Sequence, residues 1–77
     1  MEKKVFVKLD TINDVKDFVN IVSSYNFDID LASGRYVVDA KSIMGIFSLD
    51  LTKKIELKAD ADEGSKFFED IKKYIVD

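Results

Sequence analysis

The sequence predicts an α+β fold, an antiparallel sheet with its helices layered on one face, and three observations carry that reading. Several short segments alternate apolar and polar residues with a period of two, others repeat apolar residues at helical spacing, and the two kinds follow one another without linker, repeat or low-complexity stretch. The order is strand, helix, strand, strand, short helix, strand, helix. By pattern alone, a ferredoxin-like arrangement of similar elements is a rival topology.

The first strand is Lys4 to Leu9, with Val5, Val7 and Leu9 on one face and lysines on the other. Thr11 and Asp14 then stand in the relation of a capping box, and Ile12, Val15, Phe18, Val19 and Val22 give the helix that follows one apolar stripe. Ser23 to Asn26 break that pattern. Phe27, Ile29 and Leu31 alternate with Asp28 and Asp30 as a second strand, and Arg35 to Asp39, with Tyr36, Val37 and Val38, forms a third, joined to it by a hairpin around Gly34. Tyr36, Val38 and Ala40 are expected on the buried face of that hairpin. Lys54 to Asp60 is the cleanest alternation, with Ile55, Leu57 and Ala59 inward. Asp62 and Glu63 supply the negative charge that a helix start favours, and the last helix carries Phe67, Phe68, Ile71, Tyr74 and Ile75 as its stripe.

A chain of 77 residues is expected to form a single domain, 1–77, and buries only about 60% of its unfolded surface, which leaves little room for a deep cleft and points to action at the surface. No apolar run approaches the ~20 residues that span a bilayer. The start Met1-Glu2-Lys3-Lys4 leads into a strand and not a signal peptide, so a cytoplasmic location is expected. Cysteine and histidine are both absent, which excludes disulfides, thiolate or imidazole metal sites, serine–histidine nucleophiles and phosphohistidine in these residues. Asp28, Asp30, Asp60 and Asp62 lack calcium-loop spacing and read as solvated positions, so no metal and no cofactor is expected. No base and nucleophile pair is evident, so the protein is not expected to be an enzyme. A net charge of −3 argues against direct nucleic-acid binding.

The functional stretch is Ala40 to Leu49. Ser42 follows a strand and precedes an apolar run, so its hydroxyl is placed to cap a short helix. That helix, bounded by Ser42 and the Asp50 to Lys53 turn, puts Ile46 and Leu49 on one side and Ile43, Met44 and Phe47 on another. If the first side packs on the sheet, the second is a candidate contact surface; the bland alternative is that Met44 and Phe47 fill the core.

Lys41-Ser42-Ile43-Met44-Gly45, set after a hairpin and followed by Ser48-Leu49, resembles the regulatory-serine segment of HPr, the phosphocarrier of the bacterial sugar phosphotransferase system, in the form typical of Gram-positive bacteria. The resemblance extends over nearly the whole chain in element order. It implies an open-faced β-sandwich of four antiparallel strands with three helices on one side. It implies that Ser42 is phosphorylated by an ATP-dependent HPr-type serine kinase/phosphorylase, and that the modified form binds a LacI-type transcription regulator in carbon catabolite repression. Lys41, Ile43, Met44 and Phe47 would be the partner-binding residues, with Lys41 offering charge compensation to the phosphate.

The family's phosphorylatable histidine lies in a Gly-x-His-x-Arg-Pro segment at the start of the first helix. This chain has Asp10-Thr11-Ile12-Asn13-Asp14-Val15 there. Histidine transfer is therefore excluded on chemical grounds, and the chain resembles the catabolite-repression paralogue of HPr, which keeps the serine without the active histidine. Two readings stay open: a regulatory protein switched at Ser42, and a phosphorylation-independent interaction module whose binding survives Ser42→Ala and fails with Phe47→Ala.

Overall fold

A computed structural model describes residues 3–61 and 66–77. The expected acidic helix start at Asp62 and Glu63, with Gly64 and Ser65 beside it, lies outside them. The chain runs β1 (Lys3–Val7), α1 (Ile12–Ser23), β2 (Ile29–Ser33), β3 (Tyr36–Asp39), α2 (Ile43–Phe47), β4 (Ile55–Ala59) and α3 (Lys66–Asp70), then one 3-10 turn (Lys72–Tyr74) and β5 (Ile75–Val76). The sheet is antiparallel in the order β3-β2-β4-β1-β5.

Period-two alternation explains which side of the sheet the helices cover. Val7, Ile29, Leu31, Ile55, Leu57 and Ala59 are buried, and they meet Val15, Phe18 and Val22 of α1, Ile46 of α2 and Phe67 of α3 in one core. The opposite face is open to water and carries the Lys4–Glu56 and Lys58–Glu56 pairs, both at 3.9 Å. At such exposed positions they contribute little to stability. An aromatic cluster extends the core, with Phe67 edge-on to Tyr25, Phe27 and Phe68 at centroid distances of 5.0–5.3 Å.

Four expectations need correction. The sheet has five strands, not four, because Ile75 and Val76 pair with Val7 and Phe6 along the outer edge of β1. That edge would otherwise present unpaired amides, and two β-branched residues suit it. The last helix is correspondingly shorter than its apolar stripe: it stops at Asp70, and Tyr74 is buried from a 3-10 turn whose carbonyl accepts from Lys8 N at 2.8 Å. Tyr36 is 69% exposed and does not share the buried face with Val38 and Ala40, since it sits at the hairpin tip beyond the end of α2. Ile12 is also exposed, at the first turn of α1, while the rest of its stripe is covered.

The hairpin turns on Gly34, whose φ of +61° is a left-handed conformation that other residues adopt only under strain. Among the described residues no helix is long and apolar enough to cross a membrane.

Candidate functional site

The α2 segment is built on the end of β3. After Asp39 the chain turns, with Ser42 N–H donating to the Asp39 carbonyl at 2.9 Å and Lys41 N–H donating to the Asp39 carboxylate at 2.8 Å. Ser42 is extended (φ −102°, ψ 105°), and its Oγ accepts from Gly45 N at 3.1 Å, the N-cap that the sequence predicts. Ile46 N bonds the Ser42 carbonyl at 3.0 Å and closes the first turn. The amides of Ile43 and Met44 open that turn with no intrahelical acceptor.

Gly45 is needed for close approach. A Cβ there would lie 3.1 Å from Val38 Cβ and 3.2 Å from Ser42 Oγ, so its absence lets α2 lie against β3 and lets the cap form. At the far end, Ser48 Oγ donates to the Gly45 carbonyl at 2.5 Å, and the chain leaves through the Asp50–Thr52 turn. The Thr52 hydroxyl and amide both donate to Asp50, in that order of effect, and hold its carboxyl below the usual carboxylate range.

The five-residue helix divides as its spacing predicts. Ile46 is fully buried and Leu49, just past the helix, nearly so; Met44 is 77% and Phe47 42% exposed, and Ile43 is half-buried beside them. Ser42 itself is exposed, so its hydroxyl, Met44 and Phe47 form one accessible surface. Lys41 does something else. Its ammonium donates to the carbonyls of Tyr25 at 2.7 Å and Phe27 at 3.1 Å, pinning the α1–β2 connection to the start of α2 instead of facing Ser42. The amides of the first turn, and not this lysine, are the groups that could meet an anion there.

The start of α1 is arranged differently. Thr11 Oγ1 accepts from Asp14 N at 3.0 Å, and the Asp14 carboxylate accepts in return from the amides of Thr11 and Asp10 at 3.3 and 3.1 Å. Lys8 pairs with Asp10 at 2.6 Å and also donates to the Leu51 carbonyl at 3.0 Å. The chain's own carboxylate thus meets the two amides that lead into this helix and places a negative charge in its first turn.

Some contacts around the site had no sequence signal. Tyr25 donates to the Asp70 carboxylate, and that bond, followed by partial desolvation and the carboxylate's charge, raises the phenol's pKa. The partners are far apart in sequence and neither stands in a motif. A groove of about 600 Å³ between the hairpin tip and the α2 exit, lined by Arg35, Tyr36, Ser48, Asp50 and Lys53, likewise depends on tertiary placement.

The family described as the PTS HPr component phosphorylation site matches residues 14–77. That match begins at Asp14, within the first turn of α1. Among solved structures, HPr-C-His from Thermoanaerobacter tengcongensis is similar with a TM-score of 0.72 and 25% identity, over 95% of this chain and 88% of that one. The phosphocarrier protein HPr from Bacillus anthracis is similar with a TM-score of 0.71 and 25% identity, over 99% of this chain and 96% of that one. No curated protein sequence matches the chain. The family match over most of the sequence and the shared three-helix, open-sheet architecture agree, and the chain belongs to the HPr family of the phosphotransferase system.

Proposed function

We propose that this chain is a single-domain regulatory member of the HPr family that does not pass phosphate through a histidine and acts by protein–protein binding in the control of carbon or sugar uptake. The observation that carries the reading is the start of α2: an exposed serine caps a helix that has no acidic residue in its first turn, beside the exposed Met44 and Phe47. An HPr-type serine kinase would direct Ser42 Oγ onto the γ-phosphorus of ATP, with the bond to the bridging oxygen breaking, ADP leaving and the hydroxyl proton passing to the kinase's base. Oγ serves as an acceptor in the cap, so its own O–H remains available to that base. The phosphate adds about −1.5 to −2 charges at a helix N-terminus, which changes what the Ile43, Met44 and Phe47 surface presents to a partner such as a LacI-type regulator. A cytoplasmic location fits this role.

The absence of histidine from the 77 residues, and the occupation of the α1 start by Asp14, support the non-transfer half of the proposal. The test is intact-mass and peptide mapping after incubation with an HPr serine kinase, ATP and magnesium, beside an HPr control and Ser42→Ala. Addition of one phosphate at Ser42 is expected; an unmodified wild-type chain beside a phosphorylated control refutes the switch. A second reading, an interaction module that needs no phosphate, is favoured by the commitment of Lys41, the cation next to Ser42 in sequence, to two carbonyls. On that reading binding survives Ser42→Ala and is lost with Phe47→Ala.

A further inference from the structure

β3 forms one outer edge of the sheet. Among the described residues β3 pairs only with β2, and Ala40 N–H donates to the Ile29 carbonyl at 2.9 Å. In an antiparallel ladder the bonding direction alternates, so Ala40, Val38 and Tyr36 turn their amides toward β2 while Val37 and Asp39 turn theirs outward. Val37 is 65% exposed on the open face and Tyr36 69% exposed on the helix side. The strand is short and flanked by the charges of Arg35 and Asp39, but Tyr36-Val37-Val38 carries no lysine, proline or bulge that would keep a strand of complementary charge away.

We infer that β3 pairs with β3 of a second copy of this chain, antiparallel about a two-fold axis through Val37. The occupant is identified by self-complementarity. With Val37 opposite Val37, Tyr36 faces Val38, and Arg35, the turn residue just ahead of β3 and the only arginine in the sequence, comes beside Asp39 of the other copy, twice over. Arg35 has no hydrogen-bond or ion-pair partner within the described residues, so its guanidinium is available. An unrelated extended segment would have to reproduce this charge order; a second copy does so by symmetry. The outward Val37 N–H of each copy then donates to the Val37 carbonyl of the other, and the two sheets join into one. The Asp39 carbonyl, already accepting from Ser42 N, is not required.

A contact of one short strand lies below the ~1,000 Å² of a stable interface, so association is weak, with a dissociation constant on the order of 0.1–1 mM. Sedimentation equilibrium at low salt tests it. The weight-average mass of the wild-type chain is expected to climb from monomer toward dimer between about 10 μM and 1 mM. Val37→Pro removes an outward-facing N–H and no β2–β3 bond, a position where an edge strand tolerates proline, and is expected to stay monomeric. Arg35→Asp sets two pairs of like charges against each other and weakens association roughly five- to tenfold. Mixing Arg35→Asp with Asp39→Arg restores both ion pairs and should recover wild-type strength as a mixed dimer. Asp39→Arg also gives up the bond from Lys41 N, so each variant's fold is verified by circular dichroism, and Arg35→Asp, which breaks no bond in the monomer, decides alone if the other misfolds. A wild-type chain that stays monomeric to about 1 mM overturns the inference and leaves the edge to a segment of another protein. Self-association undiminished in Val37→Pro, or unchanged by Arg35→Asp, overturns it too.

Discussion

The two helix starts, α1 at Thr11 and α2 at Ser42, are built from the same device and left in opposite states. Each has a hydroxyl residue in extended conformation accepting from the third amide of the helix. At α1 the box is reciprocal: Asp14 returns its carboxylate to the amides before it, and Asp10 adds a second negative charge beside Lys8. At α2 the third position is Gly45, which has no side chain to return, and the first turn is free of acids. One start is internally neutralised and the other is open to an added anion, so the pair separates a structural cap from a candidate signalling cap within a single fold.

The comparison rests first on α2 being firmly seated despite its five residues, and the largest predicted effect tests that. Ile46→Ala should cost about 2–5 kcal/mol in urea unfolding, because a fully buried isoleucine is removed from the core, whereas Met44→Ala should change stability by less than about 0.5 kcal/mol. Equal losses would mean that the two sides of α2 are not divided as described. Next come the caps themselves. Thr11→Ala and Ser42→Ala should each lose about 1 kcal/mol. Aspartate is as good an N-cap as serine, so Ser42→Asp should be close to neutral, but Thr11→Asp crowds a third carboxylate between Asp10 and Asp14 and should lose about 0.5–1 kcal/mol at low salt. Added salt should narrow that difference. Equal behaviour of the two aspartate variants would break the contrast.

Most of this contrast was legible in the sequence. Thr11-x-x-Asp14 and Ser42 ahead of an apolar run are local signals, because a cap is made by residues three apart, and the Ile46 and Met44 division follows from helical geometry alone. What could not be read depended on distant partners. Nothing in Lys41 predicts that its ammonium reaches back to Tyr25 and Phe27, and its neighbour Ser42 suggested a different use for the charge. Ile75 continued a helical stripe in spacing, yet the unpaired outer edge of β1 draws it into β5. Tyr36 alternates correctly for a buried face and is exposed because it pairs with Ser33 at the hairpin tip, away from the centre of the sheet.

The exit of α2 responds to pH in a defined direction. The folded-state pKa of Asp50 is depressed by its bonds from Thr52, so the stability it contributes is present above the unfolded-state value near 4 and is lost as pH falls through the folded one. Asp50→Asn should flatten the acid limb of the stability profile in that window. Tyr25 shifts the other way: its pKa is raised, so its contribution is complete below about pH 10 and is lost as pH rises further. Tyr25→Phe should remove that alkaline limb without touching the acid one.

The smallest expected effect concerns phosphate on Ser42. The dianion would meet the free amides of Ile43 and Met44 and the positive end of a very short helix, while the neighbouring Lys41 is committed elsewhere. An exposed helix-terminal charge of this kind is worth about 0.3–1 kcal/mol, and the cap bond to Gly45 N, which the esterified oxygen can still accept, need not be lost. Thermal unfolding of the phosphorylated and unmodified chains should therefore differ by only a few degrees, with the same far-ultraviolet circular dichroism. Backbone amide chemical-shift changes should be confined to α2 and the end of β3. A larger shift in stability, or changes that reach α1, would mean that the two helix starts are coupled and that modification acts by rearranging the fold. Confinement to α2 would mean that the phosphate changes only the surface that Met44 and Phe47 already present, which is what a signal read by another protein requires.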